Sequence, residues 1–251
     1  MNLQPSSQTY LFEHDSLLDE LINLYKTNKL PNKIILSGEK GIGKSTLAYH
    51  LINYILSKNE EHQYDHENYQ ISNENKSYKL LQNSVNPNFY LVDILKDKKN
   101  IEINQIRNLI LDLNKSSFNS KPRFVLIDNI EFLNINSVNA LLKILEEPNF
   151  NINFILINNN KRILPTLKSR CLNFQVFISY DKKIKIINKL LNDDILNLIS
   201  KDLLNNYVTP GQLFELIKLA NNQKINLKNI SLKDFLFKII KNKIYKKDKS
   251  I

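Results

Sequence analysis

The chain of 251 residues contains a single cysteine, Cys171. One thiol cannot build an intrachain disulfide framework or a multi-cysteine zinc site, and its scarcity fits a reducing compartment. The opening MNLQPSSQTY lacks a basic start followed by an apolar core, so no secretory signal is expected. No apolar run approaches the length that spans a bilayer. Together these absences lead to the expectation of a cytoplasmic protein. Arginine is also sparse, which counts against a phosphate-loop kinase, whose helical lid would carry inward arginines.

What is present is a globular composition, 42% hydrophobic and 24% charged, long enough for one large domain and a smaller one. The net charge of +10 points to a polyanionic neighbour, with nucleic acid the first candidate. Asn, Lys and Ile are all frequent, however, and a biased codon supply raises these three together. Charge alone therefore decides nothing about partners.

Four apolar runs read as buried strands: NKIILSG from Asn32, FYLVDIL from Phe89, RFVLID from Arg123 and NFILIN from Asn153. CLNFQVF, from Cys171, reads as a final strand. Between them, helical spacing appears in Leu47, Ala48, Leu51, Ile52, Ile55 and Leu56, in Ile106, Leu109, Ile110 and Leu113, and in Val138, Leu141, Leu142 and Leu145. Continuous apolar strands imply a parallel sheet covered by helices on both faces. After about Ile178 only helical patterns remain, so an α/β domain is followed by a small helical one. Residues 58–79 are polar and without period, and read as an exposed insertion or irregular helical excursion. His62 and His66, with Glu61 and Asp65 nearby, read there as surface loop rather than metal ligands.

GEKGIGKS, Gly38 to Ser45, matches the phosphate-loop pattern between a strand and an amphipathic helix. Gly38, Gly41 and Gly43 let the backbone curl so that several N–H groups face one anion, and the helix that follows adds its positive end. Lys44 is expected to reach the outer phosphates, and Ser45, followed by Thr46, to ligate the Mg²⁺ that bridges them. Asp128, at the end of RFVLID, is the carboxylate expected to hold that Mg²⁺ from the opposite side. ATP or ADP with Mg²⁺ is the expected ligand.

With these motifs in hand, GEKGIGKSTLA, NALLKILEEP and LKSRC resemble, in their order and separations, bacterial clamp-loader subunits of the AAA+ class. NPNFYLVD and INQIRNLILDL extend the similarity, which runs from about residue 10 to 222. The resemblance implies a phosphate-loop AAA+ domain over 1–177, a small helical lid over 178–222, and a lysine-rich tail over 223–251 in place of a full collar domain. It implies a role in DNA replication within a DNA polymerase III assembly. The partners would be other clamp-loader subunits in a hetero-pentamer, the sliding clamp, and primer-template DNA reached through the complex. It also implies that the Ser169–Arg170–Cys171 arginine acts in trans as a finger on a neighbour's ATP. Asn158 is the expected polar sensor at its strand end, with Asn159 the alternative. Glu146 and Glu147 lie at a helix C-terminus, where negative charge is disfavoured by about 0.3–1 kcal/mol each. With Lys143, Ser169 and Arg170 they form the expected subunit interface.

Four departures qualify that expectation. Asn129 follows Asp128 where active relatives carry a Glu, and an amide cannot take a proton from water at neutral pH. Glu131 lies nearby, but it is expected not to replace that base. Gln212, in TPGQLFEL, stands where an arginine would sense phosphate. Four zinc-binding cysteines typical of the 58–79 region are missing, so no zinc is expected. Too few residues follow Ala220 for a full collar. The favoured expectation is a subunit that hydrolyses ATP weakly or not at all, with a genuine DNA-dependent ATPase of the same class as the alternative.

Overall fold

The computed structural model describes residues 3–116, 118–146 and 151–242. The chain divides into two compact units, one of residues 1–38 and 43–176, the other of residues 39–42 and 177–251.

The first unit is built on a five-stranded sheet, β1 (Lys33–Ser37), β2 (Phe89–Val92), β3 (Arg123–Ile127), β4 (Ile152–Asn158) and β5 (Leu172–Gln175), in the order β2-β3-β4-β1-β5. Every pairing is parallel. β3 and β4 are buried almost throughout because helices cover both faces, which is why their sequences run apolar without alternation. β5 lies at the edge and stays largely exposed. The helices are α1 (Asp15–Lys26), α2 (Lys44–Leu56), α3 (Lys76–Gln82), α4 (Ile103–Leu113), α5 (Ile135–Glu146) and the short α6 (Pro165–Lys168). Ile106, Leu109, Val138 and Leu141 of α4 and α5 pack against Val125, Ile127 and Leu156 of the sheet.

The insertion is more buried than an exposed loop would be. Tyr64 and Ile71 join the core, and Asn75, fully buried, caps α3 by accepting from the Tyr78 N–H. Its side chains are tied to their neighbours by hydrogen bonds. Tyr69 Oη donates to Asp19 Oδ2 at 2.7 Å, His66 Nε2 lies 2.8 Å from Asp19 Oδ1, and Ser77 Oγ donates to Glu60 Oε1 at 2.6 Å. Pairings of this kind leave no hydrophobic period to read, since each residue is held by a specific partner. Among the described residues no group of three or more His, Cys, Asp or Glu could hold a metal ion.

In the second unit, α7 (Tyr180–Leu191), α8 (Ile195–Leu198), α9 (Lys201–Asn206), α10 (Pro210–Asn222) and α11 (Leu232–Lys241) surround a core that includes Ile187, Leu203, Leu213 and Phe235. The lysine-rich segment is therefore not a separate tail over its described part. Phe235 and Ile239 are buried, and the main-chain N–H of Leu232 donates to Asp202 Oδ2 at 2.7 Å. α10 starts with a capping box: Thr209 accepts from the Gln212 N–H, and the Gln212 side chain accepts from the Thr209 N–H. Gln212 is thus engaged in holding its own helix start. Gly211 approaches Gly41 so closely that a Cβ on Gly211 would sit 2.7 Å from the Gly41 Cα.

Candidate functional site

β1 and β4 end together, with Ser37 paired to Asn158, and β3 ends two residues earlier, with Ile127 paired to Leu156. The parallel register therefore brings the residues just past each strand together at one edge, the place where open parallel sheets bind ligands. Gly38 follows β1, Asp128 follows β3 and Asn159 follows β4. Gly43, at φ +94°, turns the chain into α2, and its left-handed backbone suits a residue without a Cβ.

Lys44 opens α2 and is only 3% exposed. Its ammonium donates to Gly38 O at 2.9 Å and to Asn159 Oδ1 at 2.9 Å. Ser45 Oγ donates to Asp128 Oδ2 at 2.5 Å. Burial raises the Asp128 pKa above the usual carboxylate range. The Ser45 hydrogen bond works against that rise, the Asp93 charge adds to it, and the Lys44 charge opposes it. A hydroxyl and a carboxylate held in contact are the hard oxygen donors that Mg²⁺ prefers, so Ser45 and Asp128 fit the ion expected with a nucleotide. Such an ion would offset phosphate charge at this edge. Thr46 follows in the first turn of α2, half-buried.

Asn129 adopts the left-handed conformation, φ 57° and ψ 45°, which Asn tolerates better than most residues. Its Nδ2 donates to Asp93 Oδ1 at 2.7 Å, and its Oδ1 accepts from Asn159 Nδ2 at 2.9 Å. Asn159 Nδ2 also donates to Glu131 Oε1 at 2.9 Å. A continuous side-chain network therefore runs from Lys44 through two amides to two carboxylates. Asn158 takes no part in it: its amide exchanges hydrogen bonds with the main chain of Lys161 and closes the turn after β4. The residue beside the loop lysine is Asn159, because β4 ends at Asn158 and the chain then turns. Asp93 was not singled out in the sequence, although it ends the apolar run FYLVD much as Asp128 ends FVLID.

The expected interface residues lie on α5 and around α6. Lys143, Glu146, Ser169 and Arg170 are exposed. Arg170 Nη1 donates to Thr166 O at 2.8 Å, and Nη2 pairs with Glu146 Oε1 of the same chain. The guanidinium thus has an intrachain carboxylate partner, while Glu147 lies outside the described residues. Burial pushes the neighbouring Cys171 thiol up to about 11, so it stays protonated at neutral pH.

A parallel sheet in this order, with a phosphate loop entering α2 and an acid at the end of β3, defines a phosphate-loop protein of the AAA+ class. In fold it is similar to the RuvB Holliday junction branch migration motor of Thermotoga maritima, with a TM-score of 0.51 and 14% identity over 90% of this chain and 70% of that one. Residues 13–177 match the family described as DNA polymerase III, delta subunit. The chain belongs to that family and is of the clamp-loader delta-prime type. The delta' subunit of DNA polymerase III from Pseudomonas aeruginosa is 32% identical over 138 residues, 55% of this chain and 40% of that protein. The delta' subunit from Buchnera aphidicola subsp. Baizongia pistaciae is 30% identical over 159 residues, 61% of this chain and 46% of that protein. The matches thus span less than half the length of these relatives.

Proposed function

We propose that the chain is a subunit of a DNA polymerase III clamp loader that holds a nucleotide without turning it over efficiently, and that it lends Arg170 to a neighbour's ATP. The observation that carries this reading is Asn129. It stands where a water-activating carboxylate is needed, it has no proton-accepting group at neutral pH, and both ends of its amide are already engaged.

Lys44 and the loop backbone would bind phosphates, and Ser45 and Asp128 would hold Mg²⁺. Arg170, exposed and always charged, has the planar fork suited to phosphate oxygens. Its use in trans requires that it leave Glu146, and an exposed pair of this kind is worth only about 0–1 kcal/mol. The partners in this reading are other clamp-loader subunits in a hetero-pentamer, the sliding clamp and, through the complex, primer-template DNA.

The test measures nucleotide binding and turnover separately on the purified chain, and then ATPase in the complex co-purified with its partners. The expected outcome is binding with little turnover by the chain alone, and loss of the complex's stimulated ATPase in Arg170→Ala with assembly intact. Appreciable turnover by the chain that disappears in Asp128→Ala would favour the active-ATPase alternative. That alternative draws on Glu131, which lies one hydrogen bond from Asn159.

A further inference from the structure

Asn159 sits between a cation and an anion. Lys44 Nζ, which can only donate, lies 2.9 Å from one end of its amide, and Glu131 Oε1, an acceptor when ionised, lies 2.9 Å from the other. These neighbours decide which end is which, a choice that the near-symmetric shape of an amide leaves open. The carbonyl oxygen faces Lys44. The side-chain nitrogen is directed to Glu131 and to Asn129 Oδ1, 2.9 Å away. The main-chain N–H of Asn159 also points at Glu131, 3.4 Å from Oε2, so one carboxylate holds the residue twice.

Phosphate oxygens accept hydrogen bonds, so an asparagine that senses a terminal phosphate must donate to it. Here Glu131 turns the donor end away and leaves an acceptor facing the phosphate-binding lysine. Asp93 adds to this hold. By accepting from Asn129 Nδ2 at 2.7 Å, it turns the Asn129 carbonyl towards Asn159 as a second, neutral acceptor beside the Glu131 carboxylate. A terminal phosphate drawn to Lys44 meets a carbonyl dipole of the wrong sign, with the Glu131 charge behind it. A diphosphate held by the loop backbone, Lys44 and Ser45 asks nothing of Asn159.

We propose that Glu131 is a specificity-determining residue that makes this site select a nucleoside diphosphate over a triphosphate. The inference rests on the reading that the loop holds nucleotide, and adds which nucleotide it holds. Asn159 is the group that Glu131 positions.

The experiment is calorimetric titration of the full chain with ADP and with ATP, each with Mg²⁺, for the wild type, Glu131→Ala, Glu131→Gln and Lys44→Ala, with thermal unfolding to confirm that each is folded. The wild type is expected to bind ADP about tenfold more tightly than ATP. In both Glu131 variants ATP tightens and the two affinities come within about twofold of each other, while ADP affinity changes little. The Gln variant preserves side-chain volume and lets the Asn159 amide turn over, so it keeps the test decisive if Ala unfolds. An ATP-to-ADP ratio unchanged in the Glu131 variants, or a wild type that prefers ATP, overturns the proposal alone. A wild type that binds neither nucleotide, or a Lys44→Ala chain that binds as the wild type does, overturns the nucleotide-holding reading and the inference with it.

Discussion

Asn129 donates to Asp93 across 2.7 Å, so the residue following the strand-end acid Asp128 is bonded to a second carboxylate, one that ends the neighbouring strand. This pairing explains why an amide stands at 129 and sets what a restored acid would do. Asn129→Glu would bring two carboxylates together and force a longer side chain into a left-handed backbone. The expected outcome is a loss of about 1–2 kcal/mol in stability and no gain in turnover. Adding Asp93→Asn should remove the repulsion and recover that part of the loss, the backbone strain remaining. Urea unfolding and phosphate-release assays check both arms.

Asp128 has a raised pKa in the fold, so its ionised form is disfavoured there relative to the unfolded chain. That cost is present in full above the folded pKa, shrinks as pH falls below it and the native state takes up the proton, and is gone below the unfolded carboxylate value, where both states are protonated. Asp128→Asn should therefore raise the unfolding midpoint at neutral pH, and the advantage over the wild type should shrink on acidification. A midpoint series from neutral to acid pH tests it. A constant difference would contradict the burial argument.

His50 is fully buried on α2, with Nδ1 2.9 Å from Tyr64 Oη and Nε2 3.2 Å from Gln8 O. A carbonyl can only accept, so Nε2 carries the proton and Nδ1 accepts from the tyrosine. Burial lowers its pKa from 6.5 to about 4, against the Gln8 hydrogen bond. The unfolded chain then binds the extra proton first, so stability is full above pH 6.5 and falls between there and about 4. The expected loss is on the order of 3 kcal/mol by the acid end. His50→Gln should be less stable at neutral pH yet show a shallower acid limb in denaturant midpoints.

The insertion depends on Asp19, whose two oxygens meet His66 and Tyr69. Asp19→Ala should loosen residues 58–79 and destabilise the chain by about 1–3 kcal/mol. Limited proteolysis should then cut within that stretch first. A chelator should leave the wild-type unfolding midpoint where it is, since side-chain hydrogen bonds hold the segment.

Arg170 and Glu146 are exposed, so Glu146→Gln should change monomer stability by less than about 1 kcal/mol. If Arg170 acts on a neighbour's ATP as proposed, the same variant in the assembled complex should leave stimulated ATPase equal to or above the wild type, because the guanidinium no longer has a charged partner to leave. A fall in ATPase with assembly intact would show that the pair presents Arg170 rather than restrains it.

The sheet strands, the phosphate loop and the amphipathic stripes of α2, α4 and α5 are legible in the sequence because each is set by local period and composition. Fully apolar runs such as Phe124–Ile127 suit buried strands of a covered sheet, and the GEKGIGKS spacing matches the phosphate-loop pattern between a strand and a helix. The division into an α/β part and a helical part follows from where the strand patterns stop. The insertion was not legible, because specific pairings such as Tyr69 with Asp19 and Tyr64 with His50 leave no periodic trace.

By itself the sequence determined the class of fold, the phosphate-loop motif and the absence of a carboxylate at 129. Only the tertiary structure decided that strand order β2-β3-β4-β1-β5 brings Asp93, Asp128 and Asn159 to one edge. It also decided that Asn159 rather than Asn158 meets Lys44, and that Glu131 fixes which end of that amide faces the loop. The reason is physical: composition and period report what a segment buries, whereas hydrogen-bond direction depends on which residues from distant strands end side by side.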